Sequence, residues 1–146
     1  MDEKNDIFEN MSFNVLINNI SRNELKYSIK SSDELIISRE GHYLLKIHES
    51  KDNLSQEDLV NIFCQSKGTV AKSLRKLEDK GYITREINKN NRRKYILKLT
   101  RKGEGVIPKL KHELNKWDEA VGVTGLDRQT MDKLKDIARK SYELVK

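Results

Sequence analysis

A single cysteine, Cys64, excludes an internal disulfide framework, because a bridge needs two. A single proline, Pro108, leaves most of the chain free to form uninterrupted helix. Aromatic residues make up only 6% of the chain and hydrophobic residues 36%, which is lean for a self-sufficient core and favours burial shared between copies. No apolar run approaches the ~20 residues of a membrane span. Met1 to Asp6 are polar and acidic, unlike a secretory signal, so a cytoplasmic protein with no membrane partner is expected. The three histidines, His42, His48 and His112, share no ligand spacing, and His42 with its nearby acids is the only weak candidate. A zinc site needs three or four converging ligands, so no metal and no cofactor is expected. There is no glycine-rich phosphate loop and no Ser–His–Asp spacing, and nothing supports catalysis.

What the chain does have is charge. Charged residues account for 36% of its 146 residues, with a formal net charge of +6. Such a balance suits an acidic polymer, either nucleic acid or an anionic membrane surface. The excess is concentrated. From Ser66 to Lys94 there are ten Lys or Arg residues and three acids, so this stretch alone carries +7.

The stretch from Leu54 to Thr100 organises the rest. Ser55 caps a short helix, with Asp58 placed to complete a reciprocal cap and Leu59, Ile62 and Phe63 as its core face. A turn near Cys64 and Gln65 leads to a second helix, capped by Ser66 and ended at Gly81. Val70, Leu74 and Leu77 make its apolar stripe. The opposite face holds Gly68, Thr69, Lys72, Arg75 and Lys76, with small residues at one end and three cations without an acid. Any surface helix needs a polar face, but this one suits a major groove. Two strands follow, Tyr82 to Ile87 and Lys94 to Leu99, both rich in β-branched and aromatic residues. The intervening Asn88-Lys89-Asn90-Asn91-Arg92-Arg93 reads as a polar, basic turn.

Helices are expected on both sides of this unit. One runs from Met11 to about Ser31 with Phe13, Leu16, Ile17, Ile20, Leu25 and Ile29 apolar, broken by Ser31-Ser32-Asp33. A second runs from an N-cap at Ser38 to about Ser50, with Tyr43, Leu44 and Ile47 inward, followed by a loop at Lys51-Asp52-Asn53. Thr100 caps a long helix that Pro108 should kink, or whose start it should displace, and that Gly122 and Gly125 end. Asp127 caps a last helix with Met131, Leu134, Ile137 and Ala138 apolar. The terminal helices carry more apolar stripe than a small domain can cover, and a second subunit is the economical partner. The expected fold is therefore mainly α with a small β-hairpin wing: a winged helix-turn-helix core over residues 36–100, flanked by dimerisation helices at 1–35 and 101–146.

The residues Leu54-Ser55-Gln56-x-x-Leu59, Thr69-Val70, Leu74-x-x-Leu77-Glu78-x-Lys80-Gly81-Tyr82-Ile83, Arg92-Arg93 and Leu99-Thr100-x-x-Gly103 resemble the signature of the MarR family of transcriptional regulators. The resemblance extends over about residues 12–146 in helix order and spacing. It implies a homodimer paired through its terminal helices, binding to an inverted-repeat operator in double-stranded DNA, a repressor role, and release by a small aromatic or phenolic effector. It places Ser66, Lys67, Gly68, Thr69, Lys72, Ser73, Arg75 and Lys76 on the recognition helix. Lys89, Asn90, Asn91, Arg92, Arg93 and Lys94 fall on the wing, and Ser55 and Gln56 against the DNA backbone. Phe13, Tyr27 and Tyr43, with Trp117 nearby in type, are candidates to line an effector pocket, although aromatics at helical spacing are more often core. The chain departs from the family at three points. Asn91 stands where Asp usually precedes the wing arginine, Cys64 stands where Gly is common, and no cysteine lies in the first helix, where the peroxide-sensing branch keeps its thiol.

Three other readings stand beside this one. A non-specific architectural DNA binder would use the same basic face without base readout. A winged-helix protein-interaction module would not bind nucleic acid, and the charge of the recognition face argues against it. A redox-sensing regulator would use Cys64, for which the plainer reading is a small packed residue beside Phe63.

Overall fold

Short side chains at helix ends determine much of the local structure, which a computed structural model describes for residues 7–30, 33, 35, 38–51 and 53–146. Among these residues there are six α-helices and one hairpin. They are α1 (Phe13–Ser28), α2 (Arg39–Glu49), α3 (Gln56–Phe63), α4 (Lys67–Asp79), β1 (Ile83–Asn88), β2 (Asn91–Leu99), α5 (Arg101–Val121) and α6 (Arg128–Val145). A 3-10 turn, Val123–Gly125, precedes α6. The expected break after α1 falls largely on residues 31 and 32, which lie outside the described residues, as does residue 52 in the loop after α2.

The caps follow local chemistry. Ser55 Oγ accepts from the Asp58 amide at 3.2 Å and Asp58 Oδ2 accepts from the Ser55 amide at 2.8 Å, closing the reciprocal cap of α3. Ser66 Oγ accepts from the Thr69 amide at the head of α4, and Asp127 Oδ1 from the Thr130 amide at the head of α6. Each such cap contributes about 1 kcal/mol. Ser38 occupies the N-cap position of α2, but its side chain makes no capping bond. Gly81 takes the left-handed conformation at φ 78° that ends α4.

The chain divides into two compact units, Met1–Glu113 and Leu114–Lys146, with α5 passing from one to the other. In the first unit, Tyr43, Leu44 and Ile47 of α2, Leu59 of α3, and Val70, Leu74 and Leu77 of α4 are buried together with Ile83, Leu97, Ile107 and Leu110. Burying each such side chain contributes roughly 1.5–3 kcal/mol. Ile62 departs from expectation. It is 45% exposed, because α3 is only two turns long and Leu59 and Phe63 already fill its inner side. Phe63 is half-buried, with its ring 4.9 Å from that of Tyr43.

The hairpin is longer than its hydrophobic runs suggest. Ile83 pairs with Leu99, Arg85 with Leu97 and Ile87 with Tyr95, and then the register slips and Asn88 pairs with Asn91. The expected six-residue turn shrinks to Lys89-Asn90, and Arg92 and Arg93 belong to β2. Asparagine chemistry explains the difference. Asn88 Oδ1 accepts from the Asn90 amide and Asn91 Oδ1 from the Arg93 amide, so side chains close a turn that pattern alone leaves open. Leu54 adds a single bridge to the other edge of β2, its carbonyl accepting from the Leu97 amide at 2.8 Å.

Pro108 does not displace the start of α5, which begins at Arg101 and continues through it. Thr100 holds that start, its hydroxyl accepting from the Gly103 amide. The second unit contains the last turns of α5, the 3-10 turn after Gly122 at φ 83°, and α6. Neither α1 nor α6 buries any residue.

Candidate nucleic-acid interface

Helix α4 presents its outer face because Val70, Leu74 and Leu77 hold the inner one. Lys67, Gly68, Lys72, Arg75 and Lys76 are exposed. Thr69 is half-buried, its Oγ1 2.8 Å from Ser66 Oγ, so the two hydroxyls at the tip of the helix form one group. Ser73 differs from the other expected contacts in being buried. It is only 8% exposed and hydrogen-bonds to Glu40 of α2.

Glu40 lies beside the recognition face. Burial pushes its carboxyl up, but hydrogen bonds from its own amide, Ser38 and Ser73, with the charge of Lys76, outweigh this and hold it below the usual value. An open groove of about 660 Å³ runs here, between the start of α2 and α4. Arg39 lines it with Lys72, Arg75, Lys76, Asp79 and Lys80, and is a cation that helical periodicity in α4 could not reveal.

On the other side, the hairpin and the head of α3 enclose a cleft of about 270 Å³. Ser55, Gln56, Lys67, Arg85, Arg93 and Lys94 contribute to it. The structure thus brings the two expected backbone contacts together with one residue of the recognition helix and two of the wing. Ser55 spends its hydroxyl on the helix cap. Gln56 Oε1 accepts from Arg85 at 3.4 Å, and Arg85 Nε lies 3.3 Å from Glu78 Oε2. Arg85 therefore links α3, α4 and β1. Sequence reasoning passed over it, although a charge alternating with Ile83 and Ile87 on the inner face of a strand was a signal.

The wing cations differ in how they are held. Lys94 pairs with Glu57 at 3.2 Å, which fastens β2 to the head of α3. Lys89, Arg92 and Arg93 are exposed with no ion-pair partner among the described residues, and so are Lys67, Lys72 and Arg75. Asn91, in place of the family's Asp, still orders the wing through its bond to the Arg93 amide.

Other candidates are dispersed. Phe13 and Tyr27 are exposed on α1, fourteen positions apart and so about 21 Å along the helix axis. Tyr43 is fully buried against Phe63, and burial pushes its phenol up. His42 Nε2 lies 3.7 Å from Glu24 of α1, and His48 Nδ1 lies 3.0 Å from Glu104 of α5. Among the described residues, no three His, Cys, Asp or Glu side chains are grouped to hold a metal. Cys64 is not packed, as its plainer reading had it. It is exposed, at φ 50° and ψ 44°, in the left-handed conformation that glycine favours and that the turn between α3 and α4 requires. No described helix is long and apolar enough to cross a membrane.

Comparison with known proteins bears on this geometry. The MarR family model matches residues 37–95. The regulator BilQ of Clostridioides difficile (strain CD3), named as an HTH-type transcriptional regulator, is 29% identical over 138 residues, covering 94% of this chain and 91% of its own. YybA of Bacillus subtilis (strain 168), an uncharacterised HTH-type transcriptional regulator, is 30% identical over 103 residues, covering 69% and 68%. Among solved structures, a putative MarR-family regulator from Listeria monocytogenes complexed with a 26-mer DNA superposes with a TM-score of 0.73 at 26% identity, covering 92% of this chain and 89% of that one. These relatives are regulators and not enzymes. The chain belongs to the MarR family of DNA-binding transcriptional regulators.

Proposed function

We propose that this regulator is a homodimeric repressor of an inverted-repeat operator, with α4 in the major groove and the wing in the adjacent minor groove. The observation that carries this reading is the set of exposed cations with no ion-pair partner among the described residues on two neighbouring elements, Lys67, Lys72 and Arg75 on α4 and Lys89, Arg92 and Arg93 on the wing. Among the described residues no acid is paired with either group, and both suit phosphates. Support for the dimer comes from α1 and α6, which bury nothing while exposing Ile17, Ile20, Leu25, Ile137 and Leu144. Two copies paired through such faces would repeat the recognition helix about a two-fold axis, which matches an inverted repeat. Repression is then steric, since the occupied operator excludes polymerase. A small aromatic or phenolic effector would act by altering the separation of the two recognition helices.

The test is a titration of the purified protein with the duplex upstream of its own gene, single-base variants of it, and random duplex, over a series of salt concentrations. Preference for the upstream duplex over random DNA by roughly 10³ or more is expected. Equal affinity for all sequences would make the protein an architectural binder. No binding would leave the winged-helix fold to a protein partner.

A further inference from the structure

One face of the hairpin is apolar apart from Arg85, but the body of the unit covers only part of it. Antiparallel partners share a face, and so do residues two apart on a strand. Ile83, Leu99 and Leu97 therefore lie on one side with Arg85, Ile87 and Tyr95. Ile83 and Leu97 are buried, and Arg85 is held by Gln56 and Glu78. One rung further out the cover ends. Ile87 is 60% exposed and its cross-strand partner Tyr95 is 52% exposed. An adjacent aliphatic and aromatic pair left open beside a basic cleft is a candidate contact surface.

The surroundings select the occupant. Lys89, Arg92, Arg93 and Lys94 flank the pair and are all exposed. The one acid on this part of β1, Glu86, is on the opposite face and is paired with Lys98 at 2.9 Å. A second copy of the chain seated here would bring these cations against one another. Tyr95 also lines the cleft that contains Lys67 of α4, Arg85, Arg93 and Lys94, where the one acid, Glu57, is paired with Lys94. A polyanion strand entering that cleft would therefore lie against the Tyr95 ring. Of the polyanions, the DNA backbone alternates phosphates, for the cations, with apolar deoxyribose faces, for the pair.

We propose that Ile87 and Tyr95 form an apolar ledge that packs on the deoxyribose edge of the bound duplex. The ledge rests on the DNA reading given above. It adds a component of affinity that releases no counterions, alongside the salt-sensitive contacts of Arg92 and Arg93.

The experiment uses the full chain and a mixed-sequence duplex long enough for both half-sites. Log affinity is measured against log salt for the wild type, Ile87→Ala with Tyr95→Ala, Tyr95→Phe, and Arg93→Ala. The double variant should bind roughly tenfold more weakly at every salt concentration, on a line parallel to the wild type. Tyr95→Phe should retain wild-type affinity, because the ring makes the contact. Arg93→Ala should give a shallower line. Unchanged affinity in the double variant overturns the ledge. So does a loss accompanied by a shallower slope, which would mean that the substitutions displace the neighbouring cations from their phosphates. A difference in mass between wild type and variant by light scattering overturns it too, assigning the pair to a contact between copies. Ile87→Thr repeats the measurement with a β-branched residue if the double variant melts early. Failure of the DNA reading itself would show first, as wild-type protein with no salt-dependent binding to the duplex.

Discussion

The Thr100 hydroxyl donates to the Gly81 carbonyl across 2.6 Å and accepts from the Gly103 amide at 3.1 Å. One side chain thus joins the end of α4 to the first turn of α5. The neighbouring residues reinforce the joint. Lys102 donates to the Lys80 carbonyl at 2.6 Å with its ammonium 4.5 Å from the centre of the Tyr82 ring. A Cβ at Gly103 would overlap the Tyr82 carbonyl.

Thr100→Val should therefore lower stability by about 1 kcal/mol, as the loss of a helix cap does, while Thr100→Ser restores most of it. Gly103→Ala should cost more, because backbone must move to admit the methyl group. Urea denaturation followed by circular dichroism measures both. If Gly103→Ala proves neutral, the joint is looser than drawn.

The two halves of the interface should separate by mutation. Arg92→Ala and Arg93→Ala should weaken binding to most sequences together and reduce the salt slope by about one per lost phosphate contact. Lys72→Ala should instead change which base pair is preferred, by roughly 1–3 kcal/mol at one position of each half-site. A panel of single-base operator variants distinguishes the outcomes, and a reversed pattern would exchange the roles assigned to wing and helix.

Light scattering in dilute solution should give twice the chain mass. Ile20→Asp on α1 or Ile137→Asp on α6 should shift the protein towards monomer, and the two helices should act alike because neither buries a residue within one copy. A wild-type monomer at micromolar concentration would remove the dimer from the proposal.

Acid should loosen the contact between α1 and α2. The hydrogen bond with His42 is the main cause holding the Glu24 carboxyl below its usual value of 4.5, against an opposing effect of burial. A lowered folded-state value means that this stabilisation is complete above the usual value and is lost as pH falls through the depressed one. Glu24→Gln should therefore reduce stability at neutral pH and flatten the acid limb below about pH 4.5. Melting temperatures across pH 3 to 7, a range of roughly the carboxylate titration, provide the measurement.

Cys64→Gly should raise stability by up to about 1 kcal/mol, since glycine adopts the left-handed region without a side-chain clash. Cys64→Val should lower it. Cys64→Ser should leave DNA binding intact, and peroxide should have little effect on the wild type. Loss of binding on oxidation that the serine variant escapes would make this chain a thiol sensor.

The residues that could be placed from the sequence were those whose partners lie within one helical turn. Ser55 with Asp58, Ser66 with Thr69, and Asp127 with Thr130 are all three apart, and their geometry follows from residue type. The stripe of Val70, Leu74 and Leu77 was legible for the same reason. Arg85 was not, because its partners Gln56 and Glu78 come from other elements, and Lys102 was not, because Lys80 lies 22 positions earlier. Ile62 shows the limit of periodicity, which identifies an apolar face but not how much of it a two-turn helix can bury. The wing was misjudged where local hydrogen bonds of Asn88 and Asn91 override the alternation of strand residues.

The slip in the hairpin has a consequence for solubility. Between the pairs Ile87–Tyr95 and Asn88–Asn91, β2 carries Arg92, Arg93 and Lys94 with no counterpart on β1. A hairpin that projects from its domain offers open edges, and a flat edge with an exposed Ile and Tyr would invite strand addition from another molecule. Three consecutive unmatched cations deform that edge and charge it, so an incoming strand would meet neither a straight ladder nor a neutral one. Replacing them to weaken DNA binding would leave the slip, which Asn88 and Asn91 hold, but would strip the edge of its charge and so make it more open to strand addition.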